Sequence, residues 1–311
     1  MWIGGFVLAL LLAAPSQQHG IWPEYLGEWT RTSVQPAEFP QPAAFGEYGL
    51  EAAERAEFTV GPRIRMVATG YRFRDAIGGY AGYLALRPAD AKPSKFDEIA
   101  SESGDSVFVL FGNYVFRFDG GLPDYPVYEQ LLAYVPRLDQ AALPEVRLIV
   151  PNGAIPNSER WIAGPETLAS FAPGLPPSIA AFRMGAQGIS TEYAGDGGPF
   201  RLAIMSYETP ATAANRCAAF QQLPGAKVRC FDSYVAVTFS KDAKAASVLD
   251  RVRPYVPPPP PPPPKQPEGV GLFSALVVLG VIAVGIGMGI LLRKKPQAGV
   301  PEEQIRLELN R

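Results

Sequence analysis

Two long apolar runs lack the periodic polar positions of surface helices and strands, and they lie near the two ends of the chain. The first covers residues 1–14. About a dozen residues cannot cross the ~30 Å hydrocarbon core as a helix, but they suit the apolar part of a secretory signal. Residues 1–16 are therefore predicted to be a signal peptide, although no Lys or Arg precedes the run. A buried N-terminal strand is the alternative.

The second run, residues 269–292, contains 24 residues without a charge. At 1.5 Å per residue a helix of this length spans ~36 Å, which predicts one transmembrane helix. Arg293, Lys294 and Lys295 follow directly and place residues 293–311 in the cytoplasm, with the N-terminal domain outside the cell membrane. Gly285 and Gly289 form a small-xxx-small pair that allows self-association of such helices.

Eight consecutive prolines, residues 257–264, precede the apolar run. Proline fixes φ and lacks a backbone donor, so this segment predicts a polyproline II rod of ~25 Å. Residues 254–268 are therefore interpreted as a spacer between the domain and the membrane. A ligand for a proline-binding module is the alternative, but such modules are mostly cytoplasmic.

Between these segments, the apolar pattern of residues 20–253 predicts the same order of elements twice. Tyr71 and Tyr207, 136 residues apart, each end a strand-like run, and a helix-like stretch follows each, at 75–86 and 210–223. Asp75 and Thr209 stand where helix N-caps are expected, and Pro210 suits the first helical position.

A predicted hairpin follows in each half, at 111–115 and 231–235, and then a final helix, at 126–138 and 241–252. The expected fold is α+β, with two tandem ββαββα lobes, 20–138 and 139–253, each an antiparallel sheet with helices on one face. The repetition indicates an internal duplication. Equivalent faces of the lobes are expected to pack about a pseudo-twofold axis, leaving a groove at the join.

The composition excludes several kinds of chemistry. The net charge is −2 and no long basic run occurs outside the membrane flank, which argues against nucleic acid as a partner. The only histidine, His19, lies beside the predicted cleavage site, so no imidazole remains for a catalytic triad or a common zinc site. No cofactor or metal is predicted. Catalysis by paired carboxylates stays open, and Glu51, Glu54 and Glu57 recur at a spacing of three.

Two further groups of residues are candidates for a structural or functional role. Cys217 and Cys230 are the only cysteines, and outside the cytoplasm such a pair favours a disulfide over two free thiols. Arg160 and Trp161 lie in the connector between the lobes. Trp161 is interpreted as a plug between them, with a ligand contact as the alternative, and Arg160 as the residue that faces a ligand.

Several short motifs resemble an uncharacterised family of exported bacterial proteins, known only as a domain of unknown function. They are Leu26-Gly-Glu-Trp29, Glu47-Tyr-Gly-Leu50, Asn157-Ser-Glu-Arg-Trp161, Gly164-Pro165 and Tyr207-Glu-Thr-Pro210. The resemblance implies a bacterial envelope protein and no particular activity. The preferred hypothesis is a membrane-anchored, non-catalytic binding or interaction domain, with an envelope protein or a glycan as partner. A carboxylate-based envelope hydrolase acting on glycans and a structural spacer are the alternatives.

Overall fold

The computed structural model describes residues 20–62 and 64–256, and residues 20–256 belong to one compact unit. The predicted signal peptide, proline run, transmembrane segment, tail and the pair Gly285 and Gly289 all lie outside the described residues. In the part that is described, no helix has the length and apolar character needed to cross a membrane.

The fold is α+β, and all of its strand pairs are antiparallel. In chain order the first half contains β1 (Tyr25–Leu26), β2 (Trp29–Pro36), α1 (Pro42–Glu47), β3 (Leu50–Val60), β4 (Ile64–Phe73), α2 (Ala76–Leu86), β5 (Lys92–Pro93), β6 (Ala100–Ser103), β7 (Ser106–Phe111), β8 (Tyr114–Asp119) and α3 (Tyr125–Tyr134). After a 3-10 turn at Glu145–Leu148, the second half contains β9 (Arg160–Ile162), α4 (Pro165–Phe171), α5 (Pro177–Ala180), a 3-10 turn at Phe182–Met184, β10 (Gln187–Tyr193), β11 (Phe200–Ser206), α6 (Pro210–Gln221), β12 (Lys227–Phe231), β13 (Tyr234–Thr238) and α7 (Ala243–Asp250).

The two predicted N-caps are confirmed. The Asp75 carboxylate accepts a hydrogen bond of 2.8 Å from the Gly78 amide at the start of α2. The Thr209 hydroxyl accepts one of 3.2 Å from the Thr212 amide at the start of α6. Each cap satisfies a backbone donor that the first turn of a helix leaves without an intrahelical partner.

The strands form two sheets, with spatial orders β1-β2-β3-β4-β8-β7-β6-β5 and β12-β13-β11-β10-β9. The predicted hairpins are β7–β8 and β12–β13, each with a two-residue turn. The proposed match of Tyr71 with Tyr207 is wrong by two residues. Arg72 pairs with Tyr114 and Ser206 pairs with Tyr234, so equivalent positions of β4 and β11 are 134 residues apart. Tyr207 therefore corresponds to Phe73.

The expectation that helices cover one face of each sheet is also wrong. In β4, Tyr71 and Phe73 face the cluster between the two sheets, whereas Met66 and Ala68 face an outer cluster. Neighbouring side chains of a strand point to opposite faces, and here both sets are apolar. Both faces must be buried, so α2 packs on one face of the first sheet and α3 on the other.

The two halves meet through faces that are not equivalent. The central cluster contains buried residues of α2 from the first half and of α7 from the second. The counterpart of α2, which is α6, packs in the outer cluster of the second sheet. A pseudo-twofold arrangement would bring α2 and α6 together, so the join is not of that kind. Helix α2 carries no charged residue, as expected for a helix enclosed between two sheets.

Candidate functional site

A polar cavity of about 280 Å³ lies where the two halves meet. Residues of both halves line it, including Glu47, Tyr48, Arg74, Asp75, Trp161 and Gln187. The sequence predicted a groove at this seam, the join between the two halves, but it predicted that equivalent faces of the two lobes would form it. Trp161 reaches this cavity, whereas Arg160 does not line it.

Trp161 lies in the central core. Its side chain is 1% exposed, and its ring packs edge-to-face against Tyr80 with 5.9 Å between the ring centroids. Its carbonyl accepts a hydrogen bond of 3.0 Å from the Tyr48 hydroxyl. Burial raises the pKa of Tyr48 well above its usual range, while the nearby Arg160 opposes that shift. This environment favours the interpretation of Trp161 as a plug.

The two carboxylates that line the seam cavity hold helix ends. Glu47 accepts hydrogen bonds from the amides of Glu166 (2.8 Å) and Thr167 (2.9 Å) and from the Thr167 hydroxyl (2.7 Å), at the start of α4. Asp75 caps α2. Both carboxylates are therefore already engaged by backbone donors at helix starts.

The acidic residues of β3 do not form a common site either. Glu51 pairs with Arg72, Glu54 accepts a hydrogen bond from the Ile21 amide, and Glu57 pairs with Arg55. On a strand, side chains three residues apart point to opposite faces of the sheet. A spacing of three would place the glutamates on one face only if the segment were a helix.

Three of the motifs that carry the family resemblance meet at the seam. The Glu47 carboxylate lies against Gly164, where a Cβ atom would overlap it, so a larger residue at that position would displace the carboxylate from its hydrogen bonds. Asn157 donates hydrogen bonds to the carbonyls of Ala89 (3.0 Å) and Ala91 (2.7 Å) in the first half. These residues therefore join the halves.

An apolar pocket of about 300 Å³ lies entirely in the second half. Helix α6 packs over β12 and β13, and α4 packs against β9, on the face of the second sheet that carries the outer cluster. Ala203 and Val237 on that face line the pocket together with Pro173, Leu175, Pro199, Phe200 and Phe239, and Arg201 and Ser240 supply its polar groups. Sequence reasoning missed this pocket because several of these residues lie in loops without a periodic pattern.

A smaller cavity of about 200 Å³ adjoins it, lined by residues that include Arg160, Ser190, Glu192 and Arg201. The Nη1 atom of Arg160 donates to the carbonyls of Leu84 (3.1 Å), Asn157 (2.9 Å) and Glu159 (2.7 Å). Burial lowers the pKa of Arg160, and Arg87 lowers it further. Arg160 thus contacts the first half at the end of α2 and also faces this cavity.

The predicted disulfide is confirmed. Cys217 of α6 and Cys230 of β12 are bonded, with their Cα atoms 6.1 Å apart. The bond fixes the helix to the edge strand of the second sheet.

Within residues 20–62 and 64–256, no three His, Cys, Asp or Glu side chains come together in an arrangement that holds a metal ion. Comparisons of the chain with protein-family models, with curated proteins and with solved structures gave no significant match.

Proposed function

We propose that this chain is a membrane-anchored extracytoplasmic binding protein without catalytic activity, and that its apolar pocket holds an apolar group of the ligand. The observation that carries the proposal is a mainly apolar pocket of about 300 Å³ on the outer face of the second sheet, with Ala203 and Val237 among its lining residues. Mainly apolar concave sites with a few polar groups are the usual form of ligand pockets. The disulfide is consistent with an oxidising compartment.

The volume of the pocket limits the size of the bound group. Ligand pockets span ~300–1,000 Å³, and about 300 Å³ is at the low end of that range. A branched aliphatic side chain or a single ring fits such a volume. The resemblance to exported bacterial proteins supports an envelope molecule as the source of this group.

The two-lobe organisation is part of the proposal. Strands β3, β4, β8 and β7 are neighbours in that order in the first sheet, and β10, β11, β13 and β12 follow the same order in the second. A helix follows β4 and β8 in the chain, and likewise β11 and β13, which supports two ββαββα lobes related by duplication. In that arrangement, α2 of the first lobe and α7 of the second face the partner lobe, although these two helices are not equivalent. The apolar pocket lies in the second lobe alone.

Two alternatives have less support. A carboxylate-based hydrolase needs an acid and a base in one cleft, and Glu47 and Asp75 at the seam both cap helices. A structural spacer has no requirement for an apolar pocket.

Protease treatment of intact spheroplasts tests the location. Protease added outside is expected to digest the domain while residues after Arg293 stay protected. Protection of the whole domain would contradict the proposed orientation.

Ligand-observed NMR on the full chain in detergent tests the pocket, with N-acetyl-leucinamide and N-acetyl-phenylalaninamide as neutral probes. Saturation transfer is expected in the wild type and is expected to be lost in Ala203→Leu, which adds volume at the pocket floor. Ala203 is only 4% exposed, so thermal melting must show that this variant folds. Ala214→Leu, an exposed position of α6, is the matched control and should bind as the wild type does. Equal signals in both variants would argue against this pocket.

A further inference from the structure

The apolar pocket and the small cavity lie side by side and share one lining residue. Arg201 lines both of them. Phe171 lines the small cavity and the next residue, Ala172, lines the apolar pocket. This adjacency brings a cavity with charged lining residues next to one with a mainly apolar lining.

Arg160 enters the small cavity with donors that nothing in the fold uses. Only its Nη1 atom donates to described groups, all of them neutral carbonyls. The Nε and Nη2 atoms of Arg160 have no hydrogen-bond partner among the described residues. Neither atom is fully buried, so solvent reaches both. No carboxylate oxygen of the described residues lies within 4 Å of the Arg160 guanidinium.

The neighbouring carboxylates are already paired. Glu159 accepts from Arg87 at 2.7 Å, and Glu192 accepts from Arg201 at 2.9 Å. The hydroxyls of Ser158 and Ser190 each donate to a backbone carbonyl. Arg201 also uses its Nη1 atom, which donates to the Ser170 carbonyl at 3.0 Å. Nε and Nη2 of Arg160 are thus the main donors left for a ligand.

The charge of this cavity suits a single negative charge. Two arginines and one glutamate line it, which gives a net charge of +1. A half-buried guanidinium is costly without a compensating acceptor, and its planar donors match a carboxylate in two parallel hydrogen bonds. A doubly charged anion would meet the Glu192 carboxylate and is disfavoured.

We propose that the small cavity binds the carboxylate of an organic acid, with Arg160 as the main donor, while a compact apolar group of the same molecule fills the adjoining pocket. This inference rests on the proposed function and adds the chemical class of the ligand. A free acid and the C-terminal carboxylate of a peptide share this chemistry.

Calorimetric titration of the full chain in detergent tests the inference with N-acetyl-leucine, N-acetyl-leucinamide and acetate. The acid is expected to bind about tenfold more tightly than the amide, because a hydrogen-bonded charge is lost in the amide. Acetate, which lacks the apolar group, is expected to bind more weakly than either. In Arg160→Met the acid and the amide should bind equally, whereas Arg183→Met, at an exposed arginine outside both cavities, should keep the preference.

Arg201→Met provides a second variant, because Arg160→Met also loses the hydrogen bond to Leu84 and its folding must be checked by thermal melting. The Arg201 side chain is 44% exposed, and its loss is expected to reduce the preference for the acid severalfold. Tighter binding of Ala-Ala-Leu with a free C-terminus than of N-acetyl-leucine would identify a peptide C-terminus as the source, and comparable binding would identify a free acid.

Two outcomes would overturn the inference in different ways. If the wild type binds the acid and the amide equally and Ala203→Leu abolishes the binding of both, ligand binding in the apolar pocket is supported and the carboxylate site is refuted. If the wild type binds none of the probes, the proposed pocket function fails as well.

Discussion

The hydroxyl of Tyr48 donates a hydrogen bond of 3.0 Å to the carbonyl of Trp161, across 113 positions of the sequence. Tyr48 ends α1 of the first half and Trp161 lies on β9, an edge strand of the second sheet. The adjacent Glu47 caps α4 of the second half. Two consecutive residues of the first half therefore anchor the second, so the seam should respond to single substitutions.

Trp161→Ala is expected to lower the free energy of unfolding by ~3 kcal/mol or more, as the loss of large buried aromatics does. The change removes the contact with Tyr80 and leaves a void in the central cluster. Urea denaturation measures the effect, with the half-buried Trp29 of β2 as a control that should cost less when replaced by Ala. A melting temperature within error of the wild type would refute the plug.

A double-mutant cycle tests the cap between Glu47 and α4. Glu47→Ala removes the acceptor of three hydrogen bonds and is expected to cost about 2 kcal/mol. Gly164→Ala is expected to cost up to as much, because its methyl group would displace the Glu47 carboxylate from these hydrogen bonds. In the double variant that overlap is absent, so its stability should match Glu47→Ala alone. Strictly additive losses would show that the two residues are not coupled.

The disulfide is expected to stabilise the second half. Replacing Cys217 and Cys230 by Ser is expected to cost ~3 kcal/mol, since the bond closes a short loop and restricts the unfolded chain. Both cysteines should resist alkylation by iodoacetamide until a reductant is added. Rapid alkylation of both in the native, unreduced protein is the result that would exclude the bond.

Stability should fall at alkaline pH. Burial, with a smaller contribution from Glu159, raises the pKa of Tyr80 to about 12. A tyrosine in the unfolded chain has a pKa of ~10. As the pH rises, the unfolded state therefore loses this proton before the folded state does. This stabilising contribution is complete below about pH 10 and is lost as the pH rises towards 12.

Denaturant titrations between pH 8 and 11.5 measure this loss. Tyr80→Phe should make the decline shallower, whereas Tyr25→Phe, at a side chain that is 63% exposed, should leave it unchanged. The same slope in Tyr80→Phe and the wild type would remove Tyr80 as a cause.

The sequence by itself determined the features of the described fold that depend on neighbouring residues. The caps at Asp75 and Thr209, the hairpin turns after Phe111 and Phe231 and the order of the main strands and helices all follow from local patterns. Backbone donors at a helix start and φ preferences in a turn are satisfied within a few positions, so these elements are readable without the fold. The disulfide also followed, because the chain offers only one possible pair.

The tertiary structure alone decided which surfaces meet. Strands with apolar residues on both faces do not specify which face receives which helix, so the placement of α2 and α7 at the centre was not predictable. The true counterpart of Tyr207 depended on strand register, which is set by long-range pairing. The apolar pocket and the free donors of Arg160 arise from what packing leaves uncovered, and no local pattern records which groups remain without a partner once distant segments have packed.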